Sequence, residues 1–328
     1  MSTPLDPHEL EWAEHTLGAL RAYFDAVVVG QDGLRRALLG AMLVKGHVLV
    51  ESVPGLAKTL AASTLARSVD ASFARVQCTP DLLPSDIVGT EVFDPATATF
   101  RTELGPVHAH FVLLDEINRS SAKTQSAMLE AMQEHQTTIG GQTHRLPEPF
   151  MVMATQNPIE EEGTYMLPQA QMDRFLIKEV IGYPTAEAEL EVLGRIERGV
   201  FDHPGAAVAT LADVERLRRA TDRIQVDDSI KRYIVELVGV TRHPADFLDS
   251  DHARWIEHGA SPRGAIAFLQ VARAQALLEG RGHVVPDDVV EVRHRVLRHR
   301  IVPTFEAQAE RIPVEGLIDA VFDAVPVP

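Results

Sequence analysis

The stretch HVLVESVPGLAKTL, His47–Leu60, decides how the rest of the chain is read. A strand-like apolar run leads in, Pro54-Gly55 turns the chain, and Lys58-Thr59 opens a run of good helix formers. Strand, tight loop and helix N-terminus in that order suit a phosphate-binding loop. Successive backbone N–H groups and the positive end of the helix then face an anion. In such a loop Lys58 would reach the β- and γ-phosphates and the Thr59 hydroxyl would hold Mg²⁺. The usual pattern G-x-x-x-x-G-K-[ST] is nonetheless missed at both glycines, with Ser52 at the first and Ala57 at the second. Ser52 is tolerable at negative φ, with a hydroxyl able to cap a loop amide. Ala57 is expected at the helix start with φ already negative, at little cost. Gly55 is expected to supply the positive φ of a type II turn. An ordinary strand–turn–helix could carry the same Lys-Thr pair, so the loop needs a second element.

HFVLLDEINR, residues 110–119, provides it: an apolar strand ending in Asp115-Glu116. Ligands bind at the carboxyl edge of parallel sheets, where such an acidic pair would stand. Asp115 could hold Mg²⁺ and Glu116 could polarise an attacking water. A third strand ends in MATQNP and brings Asn157 to the same edge, where it could orient that water; Asn-Pro is equally a routine turn. In SPRGAIAF, Ser261 is a good N-cap, Pro262 suits the first helical position and Arg263 follows at once. A cation there opposes the helix dipole, and an anionic partner such as a γ-phosphate would offset the cost.

These elements sit in a regular frame. Strand-like runs at 47–51, 73–78, 110–116, 149–156 and 174–180 alternate with helical patterns at 58–69 and 122–135, after an amphipathic helix at 8–24. Several of the runs are continuously apolar, as strands buried on both faces of a parallel sheet must be. The expected fold is therefore α/β, a doubly wound parallel sheet core over residues 1–183. Helical patterns at 185–199, 211–222, 227–243, 262–280 and 287–299 predict a smaller all-α domain over 184–328, with an irregular piece at 243–264.

Composition narrows the setting. The 328 residues are 45% apolar and 24% charged, which fits a soluble globular chain. No apolar run approaches the ~20 residues of a membrane span, so no membrane insertion is expected. The acidic start of the chain carries no signal-peptide core. One cysteine, Cys78, excludes an internal disulfide framework and fits a cytoplasmic setting. A net charge of −16 argues against broad nucleic-acid binding.

Taken together, VPGLAKT, LLDEINRS, ATQNP, LPQAQMDRF and SPRG, with Val29-Gly30-Gln31 ahead of the first strand, resemble the MoxR family of AAA+ ATPases. The resemblance covers residues 29–264. It implies that Val29, Gly30 and Gln31 lie against adenine. Pro54, Gly55, Leu56, Ala57, Lys58, Thr59 and Leu60 would form the Walker A loop, and Asp115 and Glu116 Walker B. Asn157 matches sensor 1 and Arg263 sensor 2. Arg174 matches the finger that reaches a neighbouring subunit's nucleotide. The family also implies ATP and Mg²⁺, a ring that is usually hexameric, chaperone-like maturation of protein clients, and a von Willebrand factor A-domain partner. Alanine at position 57 is common there, whereas Ser52 replaces a usual glycine. Two hairpins fit the same clade: VFDPATATFRTELGP (92–106), and HQTTIGGQTHRLPEP (135–149) around Gly140-Gly141. The motor subunit of a metal chelatase shares this architecture and stands as the alternative. A nucleotide-gated binding module with little hydrolysis is a second.

Three features stand outside the pattern. His108 and His110 could share a strand face, but no third metal ligand is in view. Cys78 is expected as a buried thiol. The basic run RHRVLRHR, 293–300, is expected as a solvated helix face ahead of a subunit or client contact.

Overall fold

The computed structural model describes residues 4–158, 167–199 and 205–328. The sequence motifs are carried by the strands β1 Val48–Ser52, β2 Phe73–Gln77, β3 Gly89–Asp94, β4 Thr99–Leu104, β5 Phe111–Asp115, β6 Gln136–Ile139, β7 Gln142–Arg145, β8 Met151–Gln156 and β9 Ile177–Ile181. Five of them form one sheet in the order β2-β5-β8-β1-β9. The pairs β2–β5, β5–β8 and β8–β1 are parallel. The continuous apolar runs explain the order: Leu49, Leu113 and Val152, in the three central strands, are wholly buried. Truncating Leu49 or Leu113 to alanine would cost about 2–5 kcal/mol. Edge strand β2 alternates instead, with Val76 buried and Arg75 and Gln77 exposed.

By contacts the chain separates into two compact units. One comprises residues 16–168 and 179–216; the other comprises 1–15, 169–178 and 217–328. The first carries β1–β8 and the end of β9. Helices Asp32–Leu43, Lys58–Ser68 and Ala122–Glu134 also belong to it. Both anticipated hairpins are present. β3 pairs antiparallel with β4, and Phe93 faces Phe100 with ring centroids 5.3 Å apart. β6 pairs with β7 across Gly140-Gly141, whose φ values of 55° and 81° are what a two-residue hairpin turn needs.

The second unit is built from helices, chiefly Asp228–Arg242, Pro262–Leu278 and Val314–Asp323. It departs from the sequence expectation in three places. The irregular piece at 243–264 holds two short helices, Pro244–Phe247 and Ser250–Ala253. Ile256–His258 in the same piece forms a ribbon with Val302–Pro303. The single helix expected at 287–299 is two, Pro286–Glu291 and Arg293–Leu297. Val292 leaves helical geometry at φ −94°, ψ 1°, in a β-branched run that crowds the helical turn.

The third departure is the basic run. It is not a solvated face. Arg293 and His294 reach Asp319 at 2.7 and 2.9 Å, and Arg298 reaches Glu315 at 2.5 Å. Arg298 also donates to the Lys178 carbonyl at 3.0 Å, and Arg300 to the Asp173 carboxylate at 2.8 Å. Acidic partners and carbonyls from elsewhere in the same unit hold these side chains inward, which residue type alone could not reveal. Among the described residues no helix is long and apolar enough to cross a membrane.

His299 gives the unit a pH dependence. Its Nε2 donates to the Phe175 carbonyl at 3.0 Å, its Nδ1 is buried without a hydrogen-bond partner, and burial holds the ring well below the usual 6.5. The folded state thus binds the proton more weakly than the unfolded state. The stability from neutral His299 is present above pH ~6.5 and is lost as pH falls below it. Denaturant midpoints measured from pH 7.5 to 5 should therefore fall, and His299→Gln should flatten that slope. An equal fall in the variant would count against this account.

Candidate functional site

Parallel pairing brings the separate motifs to one edge. β8 lies between β1 and β5, so the loop leaving β1 and the acids ending β5 flank a crevice. A cavity of about 430 Å³ there is lined by Pro54, Gly55, Leu56, Ala57, Lys58, Thr59, Leu60, Arg75, Gln77, Asp115 and Glu116. Sequence elements more than fifty residues apart therefore share one concave surface. The loop backbone turns through positive φ at two points. Gly55 sits at φ 86°, as expected of the turn. Ala57 does not follow expectation: its φ is 54°, in the left-handed region, at the N-cap of the helix Lys58–Ser68. The second glycine of the usual pattern thus answers a real backbone demand, and alanine meets it at a cost of about 1–2 kcal/mol.

Ser52 also behaves differently from expectation. Its hydroxyl caps no amide; it accepts from Lys58 Nζ at 2.7 Å and donates to the Val53 carbonyl at 3.1 Å. Lys58 Nζ donates to the same carbonyl at 2.9 Å. The residue replacing the first glycine thereby tethers the loop's cation. Burial lowers the Lys58 pKa from its ordinary value, and the charges of Asp115 and Glu116 oppose that shift.

The two acids are held by Thr155 and Arg119, which lie inside the motif runs without a role assigned there, and by Arg75 and Gln77, which lie outside them. The Thr155 hydroxyl donates to Asp115 Oδ1 at 2.8 Å and accepts from the Glu116 N–H at 2.8 Å. Arg75 pairs with Asp115 Oδ2 at 2.7 Å, and the Asp115 side chain is 13% exposed. Gln77 and Arg119 donate to Glu116 Oε2 at 3.1 and 3.0 Å. Glu116 itself has φ 58°, an outlier of the kind that clusters at working sites. A sequence signal for Arg75 and Gln77 exists: polar residues two apart near the carboxyl end of a strand whose intervening Val76 faces inward.

Asn157 is buried immediately beyond β8, at the same edge of the sheet. Gly30, at φ 68°, packs where a Cβ would lie 2.9 Å from the Ala188 methyl, and Gln31 occupies the N-cap of the helix Asp32–Leu43. Val29, Gly30 and Gln31 are not among the lining of the 430 Å³ cavity. Arg174 and Arg263 belong to the helical unit. Arg174 follows the short helix Gln169–Met172, and Arg263 follows Pro262, with its N–H donating to the Ser261 hydroxyl at 3.1 Å. His110 pairs with Ser72 at 2.7 Å and His108 with Thr137 at 3.0 Å. Cys78 is buried, and its thiol is pushed up to about 12 by burial.

A parallel sheet with this loop, an acidic strand end and a helical unit after it define an AAA+ ATPase. Residues 47–177 match the family model described as the ATPase family associated with various cellular activities (AAA), and residues 248–320 match the AAA lid domain. The chain is 47% identical to Chaperone MoxR1 of Mycobacterium tuberculosis over 316 residues, covering 96% of this chain and 83% of that one. It is 32% identical to Protein MoxR of Paracoccus denitrificans over 327 residues, covering 94% and 95%. A crystal structure from Cytophaga hutchinsonii shares the fold at TM-score 0.92 and 42% identity, covering 98% of this chain and 97% of that one. The chain belongs to the MoxR family of AAA+ ATPases.

Thr155 offers a test of the site's internal support. Thr155→Val keeps the shape but leaves the Glu116 N–H and Asp115 Oδ1 without their shared partner. A loss of about 1–3 kcal/mol in denaturant melts is expected, with Thr155→Ser close to the parent. A valine variant as stable as the parent would show that the hydroxyl carries no such bridge.

Proposed function

We propose that this chain is a Mg²⁺-dependent ATPase that works as a ring, hexameric by analogy with its family. The ring converts hydrolysis into remodelling or maturation of protein complexes in the cytoplasm. The observation that carries the reading is the single cavity shared by the Lys58-Thr59 loop and the Asp115-Glu116 pair. Functionally, residues 1–183 form the nucleotide-binding domain and 184–328 the lid.

The roles follow from chemistry. Amides of the loop from Pro54 to Leu60 cradle phosphate oxygens, and Lys58 adds a cation to the β- and γ-phosphates. The donor set suits Mg²⁺: a Thr59 hydroxyl and an Asp115 carboxylate are hard oxygen ligands lining one cavity. Held by those two groups, Mg²⁺ would supply positive charge to offset that of the phosphates. Glu116 takes the proton of the attacking water, and Asn157 orients that water. Gln77 and Arg119 fix the Glu116 carboxylate in the meantime. Val29, Gly30 and Gln31 face the adenine, Arg263 answers to the chain's own γ-phosphate, and Arg174 stabilises the charge developing on a neighbour's. Protein clients and a von Willebrand factor A-domain protein are the partners; nucleic acid is not.

Two linked measurements test this. Glu116→Gln should bind ATP with the parent's affinity while losing turnover, because the amide keeps the shape without accepting the proton. Rings of Arg174→Ala and rings of Lys58→Ala should each be inactive, a finger being worth ~10³–10⁵ in rate. Mixed rings of the two should regain part of the activity, wherever a sound finger faces a sound pocket. Hydrolysis that survives in the glutamine variant would remove Glu116 from the mechanism. Full activity of the Arg174→Ala ring would remove the finger.

A further inference from the structure

The end of the basic run, residues 298–300, converges on the segment that carries Arg174. Asp173, one residue earlier, receives Arg300 Nε on Oδ1 at 2.8 Å and the Ser261 hydroxyl on Oδ2 at 2.7 Å. The pair is well shielded: the Arg300 side chain is 2% exposed and that of Asp173 15%. Ser261 in turn accepts from the N–H of Arg263 at 3.1 Å. One carboxylate therefore joins the residue before Arg174 to the cap of the turn that presents Arg263. On the other side of Arg174, the Phe175 carbonyl accepts from Arg300 Nη2 at 2.8 Å and from His299 Nε2 at 3.0 Å. Arg300 Nη1 also donates to the Leu176 carbonyl at 3.0 Å. Every one of these residues lies in the helical unit. Burial lowers the Arg300 guanidinium to about 10, with Asp173 opposing, so the guanidinium keeps its charge at neutral pH.

A free hinge between the two arginines would need none of this. Arg174 is clamped by Arg300 through both chain neighbours, and one of those neighbours, Asp173, is the group that orients the Ser261 hydroxyl toward the Arg263 turn. We propose that Asp173 is a positioning residue that holds Arg174 and Arg263 as one mechanical element, so that a change at the nucleotide met by Arg263 is transmitted to the neighbouring site met by Arg174. This rests on the finger role of Arg174 and the γ-phosphate role of Arg263. It adds to them a physical link: Arg300 neutralises Asp173, Asp173 orders Ser261, and Ser261 fixes the first turn of the helix Pro262–Leu278.

The test uses the full chain with two variants of different severity. Asp173→Asn keeps the volume but removes the charge. Ser261→Ala cuts only the link to the Arg263 turn and leaves the Asp173–Arg300 pair, so it serves where the first variant fails to fold. Hydrogen exchange of the amides at 173–177 and 263–265 should quicken together in Asp173→Asn, because one anchor holds both segments, and at 263–265 alone in Ser261→Ala. Turnover should fall ~10–100-fold, the scale expected for a misplaced group, with KM for ATP within about twofold. Ser261→Thr, which keeps a capping hydroxyl, should retain the parent's turnover. Mixed with Lys58→Ala subunits, Asp173→Asn subunits should regain less activity than Arg174→Ala subunits do, because their own Arg263 is displaced as well. Unchanged turnover, exchange quickened in one segment alone in Asp173→Asn, or a loss confined to KM would each overturn the proposal. Arg174→Ala alone, run in parallel, separates the two failures. Full activity there retires the finger, while joint or separate exchange still decides whether Asp173 binds the two segments into one.

Discussion

Placement of β8 between β1 and β5 is the constraint on which the site depends. Chain order alone would set the strands side by side as they are made. Pairing Val50 with Thr155, and Leu114 with Ala154, instead spaces the loop after β1 from the acids ending β5 by one strand. The crevice is the space this leaves beyond the end of β8. Thr155 shows the consequence: from the central strand it can reach the Asp115 carboxylate and the Glu116 amide at once. Strand insertion thus converts three separate runs of hydrophobic sequence into a cavity with chemistry on its rim.

Strain and charge at that rim are distributed rather than avoided. Ala57 and Glu116 both occupy left-handed backbone geometry, one on each side of the crevice. Wholly buried strands behind them supply the stability that such local costs draw on. The charges are similarly balanced within the same unit. Lys58 is tethered by Ser52, Asp115 faces Arg75, and Glu116 is fixed by Gln77 and Arg119. A site built this way keeps its carboxylates oriented through neutralising partners, and not by isolation from water.

The helical unit follows a different logic. Its charged side chains work as structural ties, and a run that reads as surface is in fact turned toward Asp319, Glu315, Asp173 and three backbone carbonyls of the segment 175–178. Burying Arg300 costs hydration, which is tolerable only because each of its nitrogens finds an acceptor. Such an arrangement favours a single geometry over a merely stable one, and the segment so held is the one that carries Arg174.

Much of this protein was legible in its sequence because the signals are local. A continuous apolar run must be buried on both faces, a Pro-Gly turn ahead of Lys-Thr must open a helix, Gly140-Gly141 must close a hairpin, and Ser261-Pro262 must start one more helix. Each depends on the properties of residues within a few positions of one another. The positive φ of Ala57 was not legible, because it is set by how the loop joins a strand and a helix already fixed in space. Nor were the partners of Asp115, since Arg75 lies 40 residues earlier in the chain and meets it only through the β2–β5 register. The inward turn of residues 293–300 depends on acids and carbonyls up to 127 residues away. Residue type tells whether a side chain can form an ion pair; only the packed chain decides which one it forms.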